Sequence, residues 1–342
     1  MPCFPMMERR ALFFVRKENG RIFRVIFMAC MLLLMLDCSR PTTESVNSSS
    51  NSSTSRSDVV PTRIVTDDLG RRITIPTTIK RAISLAPSVT ESIFAVGAGD
   101  RLVGDTTFCN YPEEAEAIQK VGDTLNPNME TIVALRPDVV FVSGASQLET
   151  FTNTLDKNGI AVYVMDPSTL DGVLHNLEQL GIMFGTMDKS QNLVRGLEDR
   201  ELNVLSKVSD YSAVGERQSE SDKHAGKVKV FVQISKEPLF TIGTDAFLNQ
   251  VLVRAGGRSV TENVPSAFPK LSKETALTLQ PEAIILSDSP DNQEPNEVFK
   301  DSPAVKNGRI YKINADIISR PGPRLIDALE QIAKDLHPEK FK

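Results

Sequence analysis

The sequence has 342 residues, of which 40% are hydrophobic and 24% charged, with three His, four Cys and no Trp. At about 100–200 residues per domain, this length predicts two domains or one large one, and the ordinary globular composition excludes a wholly disordered or fibrous chain. Six basic and three acidic residues give residues 1–37 a charge of +3, and the net charge of −5 therefore leaves −8 on the rest. Such an acidic body argues against nucleic acid as a partner.

The first 37 residues predict a secretory signal peptide. Their basic start precedes 12 apolar residues at 25–36, fewer than the roughly 20 that cross a bilayer. Cys38 follows directly and resembles the lipid acceptor of a bacterial lipoprotein signal, although Asp37 stands where a small residue is usual. We therefore predict a protein lipid-anchored at Cys38 outside the cytoplasm, or a secreted periplasmic protein if Cys38 is not lipidated.

Residues 38–62 predict a flexible tether. Ser, Thr and Asn dominate residues 39–58, where Val46 is the one apolar residue. This stretch cannot bury enough apolar surface to offset its ordering entropy.

From residue 63 onward, buried β-branched runs alternate with helical patterns, which predicts parallel sheets flanked by helices. Ser88 and Glu91 have the spacing of a capping box at the start of the first helix. The predicted strands are 81–86, 102–104, 138–143, 161–165, 229–234, 283–286 and 309–313, and the predicted helices are 88–96, 130–135, 171–208 with a bend near 181–185, 247–254 and 324–336.

An internal repeat divides this region into two lobes. The segment Glu130–Val140 parallels Glu274–Ile284, because in each a Glu precedes a Pro by seven residues and an acid after the Pro leads into a buried strand. Asn128 and Ser272, two residues before each Glu, predict helix N-caps. The repeat predicts two similar α/β lobes. Their boundaries are 63–170 for the first lobe, 171–208 for a bridging helix, 209–226 for a polar loop, and 227–342 for the second lobe with its closing helix.

Several short segments carry a family resemblance by their order and spacing. They are SLAPSVTE at 84–91, NYP at 110–112, NMETIVALRPD at 128–138, FVQ at 231–233, NQVL at 249–252, GG at 256–257 and SRPGPR at 319–324. With them, residues 63–336 resemble the periplasmic substrate-binding proteins of cobalamin, haem and ferric-siderophore ABC importers, and most of all the cobalamin binders. The resemblance implies two α/β lobes with central, mostly parallel sheets, joined by one long rigid helix, with a ligand in the cleft between them.

The resemblance also implies two docking residues. Glu130 and Glu274 match the glutamates, one per lobe, that the family presents to arginines of an ABC permease dimer, which works with an ATPase. A structural explanation stands beside this one, because a carboxylate in the first turn of a helix stabilises that helix by about 0.3–1 kcal/mol.

Ligand contacts in the cleft follow from the resemblance as well. Phe108 and Phe268 match aromatic contacts of the cobalamin binders, and Asp316 and Arg320 match polar residues of the family's cleft. Three further candidates come from position: Pro87 and Gly144 follow strands at the carboxyl edge where open α/β sheets bind ligands, and Tyr111 lies in a cleft loop. Thr124 and Ser143 stand where the family has further tryptophans, so those stacking faces are absent.

The predicted function is therefore capture of cobalamin or a related corrinoid by a monomeric, non-enzymatic protein that holds no cofactor or structural metal. Haem or a ferric siderophore is the alternative ligand. Haem would need a Tyr or His axial ligand, of which only Tyr111 lies in a cleft loop, and a siderophore would need several basic groups. An α/β enzyme is a different class, against which the missing Walker A, GxGxxG, HExxH and GxSxG motifs argue.

Overall fold

The computed structural model describes residues 60–143, 148–208 and 226–342. The predicted signal peptide, Cys38, nearly all of the tether, Gly144 and nearly all of the 209–226 loop lie outside the described residues. The strands are β1 Thr62–Thr66, β2 Arg72–Pro76, β3 Ala82–Ser84, β4 Leu102–Gly104, β5 Val139–Val142, β6 Ala161–Val164, β7 Val228–Gln233, β8 Gly257–Ser259, β9 Ala283–Asp288 and β10 Ile310–Asn314. The helices are α1 Pro87–Ala95, α2 Met129–Ala134, α3 Leu148–Lys157, α4 Leu170–Phe184, α5 Met187–Val208, α6 Leu248–Arg254, α7 Lys273–Thr278, α8 Pro303–Lys306, α9 Ala315–Ser319 and α10 Leu325–Leu336.

Two four-stranded sheets form the centres of two lobes. The first sheet has the order β4-β3-β5-β6 and the second β10-β9-β7-β8, and all pairs within them are parallel. When β7 is matched to β3, β8 to β4, β9 to β5 and β10 to β6, the two orders are the same. The predicted pair of similar lobes is thus confirmed, and the strand β8 and the antiparallel hairpin β1-β2 are elements that the sequence analysis did not assign.

The central strands are buried because helices cover both faces of each sheet. All four residues of β5 and the last four of β7 are buried, as expected for parallel sheets, whose strands are near-continuous apolar runs. Phe231 packs against Phe299 in the second lobe with ring centroids 4.4 Å apart, and both side chains are almost fully inaccessible to solvent.

The stretch 171–208, predicted as one bridging helix, consists of two helices. α4 ends at Gly185, which has a positive φ of 72° that glycine adopts without steric cost, and α5 begins two residues later. The 22-residue α5 packs on α4 of the first lobe and on α10 of the second, so it is the connecting helix. The break falls at the end of the predicted bend. In the part of the chain that the structure describes, no helix is both long and apolar enough to cross a membrane.

Gly181 permits the close approach of α4 and α5, and we expect Gly181→Ala to destabilise the protein. A Cβ at this position would lie 1.9 Å from the Ser190 hydroxyl oxygen and 2.4 Å from its Cβ, an overlap that costs about 1–3 kcal/mol. Gly196 of α5 is the matched control, because a Cβ there meets nothing within 4 Å. Gly196→Ala should stabilise by about 0.5–1 kcal/mol. Urea unfolding measures both, and equal effects of the two substitutions would contradict the packing described.

Candidate functional site

A cavity of about 470 Å³ lies between the two lobes. In the first lobe, its lining follows the carboxyl ends of β3, β5 and β6, the edge at which open α/β sheets hold ligands. In the second lobe, the lining comes from the segment before α6, from Phe268, and from the end of α9 with the residues after it. The lining residues are Ala86, Pro87, Ser88, Thr124, Ser143, Met165, Asp166, Pro167 and Ser168 from the first lobe, and Asp245, Phe247, Phe268, Ser319, Arg320 and Pro321 from the second.

The two walls of this cavity differ in chemistry. The first-lobe wall offers hydroxyls, among them those of Thr124 and Ser143, the two positions predicted to lack a stacking tryptophan. The second-lobe wall offers the aromatic rings of Phe247 and Phe268. A ligand that fits both walls therefore has an apolar face and a periphery that forms hydrogen bonds.

Beside the cavity, a buried carboxylate joins the lobes. Glu91 of α1 is 1% exposed and accepts hydrogen bonds from two arginines of the second lobe. Arg320 Nη1 lies 2.8 Å from Glu91 Oε1, and Arg324 Nε lies 2.8 Å from Oε2. Hydrogen bonding to Glu91 and its charge outweigh the opposing effect of burial and raise the pKa of Arg324 above its ordinary value.

The predicted capping box at Ser88 and Glu91 is wrong. Ala86 is the N-cap of α1 and forms no side-chain cap, and Pro87 occupies the first helical turn. Pro suits this position because its missing N–H would have no helical partner there. Ser88 consequently lies inside the helix, and the Glu91 carboxylate pairs across the cleft instead of with the helix end.

Residues of the 105–121 loop complete the contact between the lobes. Asn110 accepts a hydrogen bond of 2.8 Å from Arg320 Nη1 and donates one of 3.3 Å to Asp316, which itself lies 2.8 Å from Arg320 Nη2. The Tyr111 ring lies under the Arg324 guanidinium, 4.0 Å from centroid to carbon. We call Glu91, Asn110, Asp316, Arg320 and Arg324 the Glu91 cluster.

The sequence pattern of the family described as periplasmic binding protein matches residues 83–317 of this chain. The chain belongs to this family. An uncharacterized ABC transporter substrate-binding lipoprotein of Bacillus subtilis is 29% identical over 95% of this chain and 99% of its own length. A vitamin B12-binding protein of Vibrio parahaemolyticus is 30% identical over 77% of this chain and 92% of its own.

A solved structure shares the fold of this periplasmic binding protein. The periplasmic vitamin B12 binding protein of Vibrio cholerae superposes with a TM-score of 0.64 at 24% identity, covering 78% of this chain and 100% of the other. The predicted class, a substrate-binding protein of the kind that serves ABC importers and not an enzyme, is confirmed. Membership implies a small-molecule ligand, a location outside the cytoplasm and a membrane permease as partner.

The structure brings some of the predicted ligand-binding residues together. Pro87, Phe268 and Arg320 line the cavity. Phe108 and Tyr111 are 58% and 46% exposed and do not line it, although the Phe108 carbonyl lies 3.4 Å from Arg320 Nη2. Glu91 as an interlobe residue, and Asp245 and Phe247 as lining residues, were not among the sequence predictions. For Glu91, the local signal was its place in a helix that directly follows a buried strand.

Glu130 and Glu274 occupy equivalent places in the two lobes. Each is the second residue of a short helix, α2 or α7, and each is exposed. The predicted N-caps are confirmed, because Asn128 accepts from the Thr131 N–H and Ser272 from the Thr275 N–H. The backbone N–H of Glu274 and the Ser272 hydroxyl hold the pKa of Glu274 below its ordinary value.

An ion pair between a buried carboxylate and a partly exposed lysine braces the loop that carries Phe108, Asn110 and Tyr111. Lys120 Nζ lies 2.9 Å from Asp105 Oδ1 and also donates to the carbonyl oxygens of Cys109 and Ala115, each at 3.0 Å. The Asp105 side chain is fully buried. Burial raises its pKa from 3.8 to about 6, and Lys120 opposes part of that shift. The loop is therefore held at its base by a carboxylate that titrates near pH 6.

We expect Asp105 to make stability pH-dependent. Because its folded-state pKa is above the unfolded value, the folded protein loses stability as pH rises from about 4 to about 6, by about 3 kcal/mol at 1.36 kcal/mol per pKa unit. Asp105→Asn lacks this titration. As pH rises across that interval, the unfolding free energy of wild type should therefore fall relative to that of the variant. Urea unfolding at pH 4 to 7 measures it; parallel pH profiles would show that Asp105 does not titrate there.

Proposed function

We propose that this protein is the substrate-binding component of an ABC importer, and that it takes cobalamin or a related corrinoid in the cavity between its lobes. The observation that carries the proposal is the lining of that cavity, with aromatic rings on one wall and hydroxyls on the other. The vitamin B12-binding names of several relatives support the same ligand.

Corrinoid chemistry matches this lining. A corrin ring is a broad apolar surface with amide side chains around its edge. Phe247 and Phe268 can pack against the apolar surface, where aromatic contacts contribute about 0.5–1.5 kcal/mol beyond area burial. Ser88, Thr124 and Ser143 can bond to amides at the edge, because hydroxyls both donate and accept.

Haem fits the cavity less well as the alternative ligand. Among the described lining residues there is no His, Tyr or Cys to serve as an axial ligand, and Met165 is a ligand type found in haem sites together with a histidine. The Tyr111 ring is stacked on Arg324 instead. A ferric siderophore would find one basic residue, Arg320, in the part of the lining that the structure describes.

Some residues of the proposed site flank the cavity. Asp316 does not line the cavity itself but forms an ion pair with the lining residue Arg320. Phe108 and Tyr111 stay predicted contacts, because their rings are exposed and each adjoins an arginine of the Glu91 cluster. Gly144, outside the described residues, follows the lining residue Ser143 in sequence and is proposed with them.

Phe268→Ala should weaken corrinoid binding about tenfold. The ring is 47% exposed and lines the cavity, so truncation removes ligand contact and little folded-state packing; tenfold corresponds to about 1.4 kcal/mol. Calorimetric titration with cyanocobalamin gives the dissociation constant. Leu202→Ala, at an exposed apolar residue of α5 outside the cavity lining, is the control. An unchanged constant in Phe268→Ala removes this residue from the site.

Delivery to the permease is proposed to use Glu130 and Glu274. One exposed acid per lobe, on equivalent helices, suits a permease made of two equivalent subunits that each present a basic residue. The proposed lipid anchor at Cys38 and the tether behind it would keep a monomeric binder close to the membrane and so raise its effective concentration at the permease.

Glu130→Ala combined with Glu274→Ala should leave the dissociation constant for cyanocobalamin unchanged and abolish ATP-driven uptake, because neither residue lines the cavity. Proteoliposomes that contain the permease and its ATPase provide the uptake assay. Glu178→Ala combined with Glu339→Ala removes one exposed acid per lobe elsewhere and should transport normally. Normal uptake by the Glu130 and Glu274 double variant would refute docking through these carboxylates.

A further inference from the structure

Arg320 lines the cavity, but this arginine does not make the cavity positively charged. Among the described residues, the charged ones that line it are Asp166, Asp245 and Arg320. Neither aspartate has an ion-pair partner among the described residues, and both are exposed. Arg320, by contrast, is paired twice, at 2.8 Å to Glu91 and at 2.8 Å to Asp316. The uncompensated charge in the cavity is therefore negative.

The formal charges of the Glu91 cluster sum to zero. It contains two guanidinium groups, Arg320 and Arg324, and two carboxylates, Glu91 and Asp316. The Glu91 carboxylate is 1% exposed, and the Arg320 side chain is 11% exposed. For Arg320 to turn toward an anionic ligand it would have to leave a buried carboxylate, and a buried charge that loses a partner is strongly unfavourable.

Arg320 retains one donor that suits an uncharged ligand. Its Nη1 group bonds to Glu91 and Asn110, and its Nη2 group lies near Asp316 and the Phe108 carbonyl. The Nε–H has no partner among the described residues. An amide carbonyl can accept a hydrogen bond from it without disturbing the pairs.

We propose that Glu91 is a specificity-determining residue, which cancels the arginine charges beside the cavity and thereby makes it accept ligands with neutral amide side chains and reject anionic ones. The inference rests on the proposed corrinoid function and deepens it. A ligand carboxylate would meet Asp166 and Asp245 without a free guanidinium to offset them. Haem propionates and siderophore carboxylates belong to the rejected class, and the amides of a complete corrinoid belong to the accepted class.

The test compares two ligands that differ by one charge. Cyanocobalamin and its monocarboxylic acids, in which one side-chain amide is hydrolysed, are titrated into the purified protein at low and high ionic strength. We expect wild type to bind the acids about tenfold more weakly than cyanocobalamin, with a smaller difference at high salt because exposed charges are screened. Glu91→Gln keeps the shape of the side chain and leaves the arginines with excess positive charge, so the ratio should fall toward one.

Control variants distinguish an effect of the Glu91 charge from an effect of Glu91→Gln on folding. Glu330 of α10 forms a pair of similar length, 2.9 Å, with Arg200 of α5, although this pair is more exposed than that of Glu91, and neither residue lines the cavity. Glu330→Gln should leave the wild-type ratio unchanged. Glu91→Asp retains the charge and should keep most of the discrimination. If circular dichroism shows that Glu91→Gln is unfolded, Asp316→Asn replaces it, because this partner of Arg320 is 37% exposed, and a smaller shift in the same direction is expected.

The outcomes are distinct. A ratio that stays at the wild-type value in folded Glu91→Gln, or in Asp316→Asn in its place, overturns the inference and leaves corrinoid binding intact. A wild-type ratio near one also overturns it. Failure of wild type to bind any corrinoid overturns both the proposed function and the inference.

Discussion

A buried carboxylate of the first lobe, that of Glu91, has both of its charge partners in the second lobe. Glu91 is almost inaccessible to water, and its charge is balanced by Arg320 and Arg324, which lie 229 and 233 residues further along the chain. Removing the arginine partners while the lobes stay packed would leave that carboxylate buried and unpaired, an arrangement that costs several kcal/mol. The cavity owes its shape to this pairing and to α5, which packs on both lobes.

The same contact sets the chemistry of the cleft. Because the arginines beside the cavity are already paired with carboxylates, the lining offers hydroxyls, aromatic faces and two aspartates, Asp166 and Asp245, that have no ion-pair partner among the described residues, rather than an anion site. Because ion pairs already fix these side chains in the free protein, ligand binding does not incur the entropic cost of ordering them. This preorganisation agrees with a protein whose task is capture and delivery.

Local patterns predicted most of the fold. The runs of β-branched residues located the main strands of both lobes, and the repeat around Glu130 and Glu274 revealed that the lobes are alike, because such signals depend on neighbouring residues. The connecting helix was predicted to begin at residue 171, but because the helix breaks at Gly185 it begins at Met187. The site was only partly predictable. Ser88 and Glu91 fit a capping box by spacing, and nothing local shows that the true partners of Glu91 lie in the other lobe.

The interlobe cavity is proposed to bind a corrinoid in preference to haem or a siderophore. Calorimetric titration of the purified protein with cyanocobalamin, cobinamide, haemin and a ferric hydroxamate distinguishes these ligands. We expect one saturable site for a corrinoid and competition by cyanocobalamin against any weak binding of haemin. Tight one-to-one binding of haemin or the ferric hydroxamate, with none of either corrinoid, would contradict this proposal.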